Sequence, residues 1–287
     1  MYYLIGEKAC CRSIMSACGI SKSSNKIPAA PELKKAYVSF LKKYQPNIPV
    51  HTGLETKIVA NRSIEDKLID TFRQPSILDD LERYIDVDFL QNKGEYRPQI
   101  QREVKYFRSL FKEYRSMDPD FWCMFQMVIN YIICPFSKYS NGGSDSNFIG
   151  MLFICSPSEI DEVDLYELLI HEFTHNAMFL DEIKTPHYIS DELLVDTRNY
   201  GLASISAMRR PLDKVLHSVV ISTEILLHRE KNLGHNDKTL IHPPTKKLIS
   251  NIGKSIKSVR ALKNYDKIMD RRGKELLNIC EETVSSF

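Results

Sequence analysis

Two histidines four residues apart, His171 and His175, bracket Glu172 in the stretch LLIHEFTHNAMFLDE, residues 168–182. On a helix of 3.6 residues per turn, positions i and i+4 share a face, so two imidazole nitrogens can meet one divalent ion. Glu172 is rotated from them by roughly a quarter to a third of a turn. Its carboxylate can reach a water or a substrate at the ion without ligating it, which is the physical content of the HExxH pattern. The surrounding helix is otherwise apolar. A charged or imidazole group buried there is costly unless it is paired or ligated. The competing reading is a hydrogen-bonded pair of core histidines with Glu172 as partner; the metal site is the reading we carry forward.

Two ligands do not hold an ion, and three residues compete to supply the third donor. Glu192 opens ELLVD, with Asp196 four residues on. A glutamate ligand with an aspartate one turn later is the arrangement of thermolysin-like zinc peptidases, in which the aspartate holds a ligand histidine from behind. His217 lies in RRPLDKVLHSVV, on a helix face that also carries Val220, Ile221 and Glu224. His187, in TPHYI, is expected on a proline-marked loop as a surface or substrate-side histidine, with ligation a minor role.

From about Gly142 to Arg229, roughly a third of the chain, the sequence resembles the HExxH-motif family of peptide-modification proteins that accompany ribosomally made precursor peptides. The likeness rests on GGSDSNFIGMLF, on the helix ending in LLIHEFTH, and on the Arg-Pro segment leading to a histidine, RRPLDKVLH. Some members of that family are 2-oxoglutarate-dependent peptide β-hydroxylases. The resemblance implies iron(II) held by His171, His175 and His217, a bidentate 2-oxo acid at the open positions, and a precursor peptide as substrate. Neutral imidazoles suit non-haem iron and zinc alike, so ligand type alone does not choose the metal. The far carboxylate of 2-oxoglutarate calls for an arginine fork. Arg210, about two turns before His217, is the first candidate, followed by Arg209 and Arg198. Any one arginine taken alone is as readily an ion-pairing surface residue. The chain departs from the family in LASISAM, residues 202–208, where a stretch containing Trp-Arg is expected; which arginine faces the 2-oxo acid therefore stays open.

Two alternatives remain beside the oxygenase. One is a zinc metallopeptidase with Glu172 as general base, Glu192 as third ligand and Tyr188 or His187 as oxyanion donor. The other is a non-catalytic peptide-binding module with a structural metal, against which the intact Glu172 weighs.

The elements that must position these residues read mostly as helix. Helices are expected over 31–45, 63–74 and 97–117, the last with Ile100, Val104, Phe107 and Phe111 on one stripe. The run 119–134 is apolar nearly all round and reads as a central buried helix containing Trp122. The Ser-, Asn- and Gly-rich stretch 137–147 is a loop, and FIGMLFICS after it is a short strand. A strand at the edge of a metal cleft could pair with an extended peptide; a strand buried within a small sheet is equally consistent with the run. A long helix follows over 158–182, then helical runs at 190–204 and 210–230, and one or two terminal helices. The expected architecture is α+β and mostly helical, with a zincin-like active helix beside a small β-sheet. A helical N-terminal region, 1–118, precedes a metal-binding region, 119–287, unless the two form one continuous domain.

The bulk composition sets bounds. Among 287 residues, 39 basic and 37 acidic side chains leave a net charge of +2, which offers no global attraction for nucleic acid or an anionic membrane. The mixed basic stretch SIKSVRALKNYDKIMDRRGK reads as a solvated helix face. No run of 18 apolar residues is present, so no membrane span is expected. The seven cysteines are odd in number and form no CxxC pair; Cys123, Cys134 and Cys155 sit in apolar runs as small hydrophobes. With no basic-then-apolar leader at the N-terminus, this points to a reducing, cytoplasmic setting. Oligomeric state is not readable.

Overall fold

The computed structural model describes residues 1–20, 27–72, 95–137, 140–235 and 239–287. The ends of the expected helix at 63–74 and of the loop at 137–147 fall partly outside them. The described chain is mostly helical, with one small mixed sheet and a two-stranded ribbon, as the α+β reading expects.

Helices α1 (Tyr2–Ile5), α2 (Glu7–Ala17) and α3 (Ala30–Tyr44) precede the two-residue strand β1 (Lys57–Ile58). After α4 (Arg62–Phe72) come α5 (Tyr96–Met117) and α6 (Pro119–Val128). Asp118 caps α6 by accepting from the Phe121 amide, and Pro119 fills its first turn, where the missing N–H costs nothing. The apolar run 119–134 does not continue as one helix. It ends at Val128, and Tyr131–Ile133 forms strand β2. The break is fixed by Asn130, whose side chain accepts from the His51 amide at 2.7 Å and donates to the His51 carbonyl at 2.7 Å.

Strands β3 (Gly142–Gly143) and β4 (Met151–Ile154) complete a four-stranded sheet of order β1-β2-β4-β3. The β1–β2 and β2–β4 pairings are parallel and β3 runs antiparallel to β4, with Tyr131 opposite Met151 and Gly143 opposite Phe153. The run read from sequence as a possible edge strand is thus an interior one. The edge beside the cleft is β3. Side-chain alternation sends Ile132, Leu152 and Ile154 into the main core, and Tyr131, Ile133, Met151 and Phe153 into a second cluster with Val59, Leu68 and Ile69. Both faces are covered, which explains a continuous apolar run where a half-exposed strand would alternate.

Helix α7 (Glu162–Glu182) carries the HExxH residues. It is capped by Asp161, which accepts from the Val163 amide, and opens with Glu162 and Asp164 at the positive end of the helix dipole. It packs on α2, α6, β3, β4 and α9. The expected helix at 190–204 is a single turn and a half, α8 (Asp191–Val195), before strand β5 (Gly201–Leu202) pairs antiparallel with β6 (Arg209–Arg210). Helix α9 (Leu212–His228) starts at Pro211 and widens into a π turn, Arg229–Leu233. Helices α10 (Thr245–Arg260), α11 (Tyr265–Ile268) and α12 (Arg271–Val284) close the chain. One core cluster contains Tyr2, Leu41 and Phe107 together with Phe173, Val219 and Leu277, so the two expected regions share a single apolar interior. Trp122 is half-buried against Phe111 and Phe125, whereas Cys123 is exposed rather than packed.

Candidate metal centre

Helices α7 and α9 pack against each other over long apolar faces, and the polar residues of each converge where those faces open into a cleft of about 480 Å³. His171, Glu172, His175 and His217 all line it, together with Gly142–Asp145 of the β3 edge, Arg210, Lys214, Tyr188 and the carboxylates Glu182, Asp191 and Asp213. The Nδ1 atoms of His175 and His217 lie 2.8 Å apart, one ring donating to the other, and the rings are near-parallel with centroids at 4.9 Å. The His171 and His175 rings are 5.1 Å apart. Burial holds the His217 imidazole well below its ordinary pKa, with Lys214 adding to the effect; burial does the same for His171, with His242 adding. Both rings are neutral at pH 7, the form a metal requires.

Glu172 is buried beneath the cleft floor. Its Oε2 accepts from Ser144 Oγ at 2.8 Å and its Oε1 lies 4.0 Å from His171 Nε2. Asn176, fully buried one turn further along α7, holds this corner in place. Its Nδ2 donates to Ser144 Oγ, to the Met151 carbonyl and to the Glu172 carbonyl, and its Oδ1 accepts from the Gly150 amide at 2.7 Å. Gly142 packs closely at the same corner. A Cβ there would sit 3.1 Å from the Phe153 carbonyl and 3.2 Å from Glu172 Oε1.

Behind His171 is a buried array that the sequence reading missed. His171 Nδ1 is 2.9 Å from His242 Nε2, and His242 Nδ1 is 3.1 Å from Glu167 Oε2. Arg229 forks onto Glu167 at 2.6 and 2.9 Å. Arg229 and Glu167 are fully buried and His242 is 2% exposed. Burial alone would raise the Glu167 carboxyl, but hydrogen bonds from His242 and Arg229 outweigh it and hold it below the ordinary value. Asp164, Glu167, His171 and His175 follow one stripe of α7 at i, i+3, i+7 and i+11. Four polar residues at helical spacing along one stripe of α7 were the signal available; His242 itself, in LIHPPT, carried none.

The other expected site residues fall apart from this group. Glu192 is exposed on α8 and does not line the cleft. Asp196 pairs with Arg198 at 2.6 Å instead of backing a histidine. Of the three arginines, Arg210 lines the cleft; Arg209 is exposed and donates to the Tyr200 carbonyl at 2.7 Å, and Arg198 is exposed. His187 is not the surface histidine expected from its loop. It is fully buried, with Nε2 3.0 Å from Asp181 Oδ2, and Asp181 is also forked by Arg272 from α12. Lys214, one helical turn before His217 in the same cleft, is a cation the sequence reading passed over.

Among the described residues no three His, Cys, Asp or Glu side chains stand around one common point as ligands; the imidazoles are paired off by hydrogen bonds. The donor set nonetheless fits a first-row ion. Cis ligands at ~2.1 Å from one ion stand roughly 3 Å apart, close to the His175–His217 separation, so that hydrogen bond can be exchanged for a shared ion by a small ring movement. No family model matches the chain, and no curated protein matches it.

Proposed function

We propose that this chain is an iron(II)- and 2-oxoglutarate-dependent oxygenase that hydroxylates a β-carbon in a residue of a ribosomally made precursor peptide. The observation that carries the reading is the meeting of His217 with His175 in the cleft that Arg210 also lines, while Glu192 stays outside it. A three-imidazole donor set with a cation beside it suits an ion that must also accept an anionic 2-oxo acid. His171, His175 and His217 would hold the metal. When bound, iron(II) supplies dioxygen chemistry in which substrate C–H, 2-oxoglutarate and O₂ become C–OH, succinate and CO₂.

The chain's own residues do the remainder. Arg210 binds the far carboxylate of the 2-oxo acid, with Lys214 adding positive charge in the same cleft. Glu172, oriented by Ser144 and through it by Asn176, accepts a hydrogen bond from whatever donor, water or substrate amide, lies beside the metal-facing edge of His171. The β3 edge offers the backbone of residues 142–143 for pairing with an extended peptide, a role the sequence reading gave to β4. A cytoplasmic setting belongs to this reading and is supported by seven cysteines that form no disulfide. Among the described residues no helix is long and apolar enough to cross a membrane.

The test is anaerobic reconstitution with iron(II), followed by addition of oxygen and 2-oxoglutarate. Formation of succinate that requires iron, and that in Arg210→Ala needs far more 2-oxoglutarate, supports the reading. Zinc-dependent peptide cleavage without 2-oxoglutarate turnover would replace it with the peptidase. Zinc in the purified protein decides nothing, because zinc displaces iron from nitrogen sites.

A further inference from the structure

The segment 239–244, which leads into α10, is hydrogen-bonded to α7 and to Arg229 at several points. Asp164, in the first turn of α7, accepts from the Leu240 amide at 3.1 Å and from the Ile241 amide at 3.1 Å. Thr239 Oγ1 donates to the His242 carbonyl at 2.8 Å, and Arg229 donates to the Pro243 carbonyl at 3.0 Å and to Thr245 Oγ1 at 3.2 Å. These contacts hold the loop in which His242 stands between Glu167 and His171. A buried ion pair is weak evidence for stability and often replaceable by apolar residues, so its use is to be sought in what it orients.

The hydrogen-bond roles can be worked out from the buried end. Arg229 is a donor only, and both Glu167 oxygens accept from it. The ionised Glu167 carboxylate is an acceptor only, so His242 Nδ1 must carry the proton that it receives. His242 Nδ1 thus faces Glu167 and Nε2 faces His171 Nδ1 at 2.9 Å, and in the relay inferred below the proton between the two rings belongs to His171 Nδ1. The remaining nitrogen of neutral His171, Nε2, is then a bare lone pair, and it is the one that lies near Glu172 in the cleft.

We infer that Arg229, Glu167 and His242 form a positioning relay that sets the tautomer and ring plane of His171 from the protein interior, presenting Nε2 as a metal ligand. The inference rests on His171 being a ligand, as proposed above, and is independent of which reaction the metal serves. None of the three relay residues touches substrate. Their effect reaches the cleft through one imidazole, and loss of such an outer partner typically weakens metal binding 10- to 100-fold.

The experiment pairs two readouts on the full chain. Nitrogen-15 NMR of histidine-labelled, metal-stripped protein, with His171 assigned by substitution, reads its tautomer; titration with cobalt(II) reads affinity. The wild type is expected to show Nδ1 protonated and Nε2 bare. His242→Leu should shift His171 toward the Nε2-protonated tautomer and weaken cobalt binding about 10- to 100-fold. His242→Gln, which keeps an acceptor for His171 and a donor for Glu167, should restore binding to within a few-fold. A merely structural His242 would leave the tautomer unmoved, and that result, or an Nε2-protonated His171 in the wild type, overturns the inference. Should His242→Leu not fold, the wild-type tautomer and the His242→Gln affinity still decide. A wild type with the expected tautomer but no cobalt binding would refute the metal reading while leaving the relay's hold on His171 established.

Discussion

His175 on α7 and His217 on α9 stand 42 residues apart in sequence and 2.8 Å apart at their Nδ1 atoms. This contact ties the HExxH helix to a donor on a second helix, at a place where both are rigid and packed. The two metal readings of the sequence differ in whether His217 or Glu192 supplies the third donor, and Glu192 is exposed on α8.

His217→Ala should abolish stoichiometric binding of cobalt(II), and Glu192→Ala should leave it within about twofold. Isothermal or absorbance titration checks both. Retained binding in His217→Ala together with loss in Glu192→Ala would reinstate the peptidase arrangement.

Arg210→Ala should raise the 2-oxoglutarate concentration needed for half-maximal turnover on the order of 10- to 100-fold, as expected for a charge-assisted hydrogen-bond partner worth about 1.5–3 kcal/mol. Arg209→Ala and Arg198→Ala, whose side chains point to a carbonyl and to Asp196, should change it little. Steady-state kinetics in the three variants measure this directly.

Much of this site was legible because helical periodicity is local. The HExxH helix and the helix carrying His217 both follow from spacing within one segment. What was not legible depends on partners far along the chain. Strand β2 was read as the end of a helix because an all-round apolar run has no period to distinguish them, and the break comes from Asn130 pairing with His51, 79 residues away. His187 was placed on the surface because Pro186 before it marks a loop; burial is made tolerable by Asp181 and, through it, Arg272 from α12. His242 lies in a short Pro-bounded stretch with no pattern, and its importance appears once α7 supplies Glu167 and Asp164 beside it.

Glu167→Ala should lower stability by roughly 3–5 kcal/mol, because it strands the Arg229 guanidinium in a fully buried position. Arg229→Lys should also be costly, since an ammonium cannot reproduce the fork onto Glu167. Urea denaturation midpoints test both, and a loss below about 1 kcal/mol in either would show that the pair is dispensable.

Stability should decline as pH falls from about 6.5 toward 4. Burial lowers His228 to about 4, between Tyr3, Tyr114 and Asn232. The unfolded chain therefore takes up this proton at a higher pH than the folded chain does. The stabilisation is fully present above the unfolded pKa and lost through the window down to about 4, amounting to roughly 3 kcal/mol at ~1.4 kcal/mol per unit. His171 and His217, also held low, act in the same direction. His228→Gln should be less stable than the wild type at pH 7.5 and flatter below 6.5; parallel curves would contradict the assignment to His228.

Gly142→Ala should slow turnover by about tenfold or more while leaving cobalt affinity nearly unchanged, since the added methyl presses on Glu172 Oε1 and the Phe153 carbonyl and not on the imidazoles. Parallel assays of turnover and titration distinguish this from a general loss of the site.

The most direct measurement is diffraction at the iron absorption edge from crystals grown and soaked with iron(II) without oxygen. A single anomalous peak bounded by nitrogen atoms of His171, His175 and His217 is the expected result. A peak held by the Glu192 carboxylate in place of His217, or no peak between α7 and α9, would contradict it.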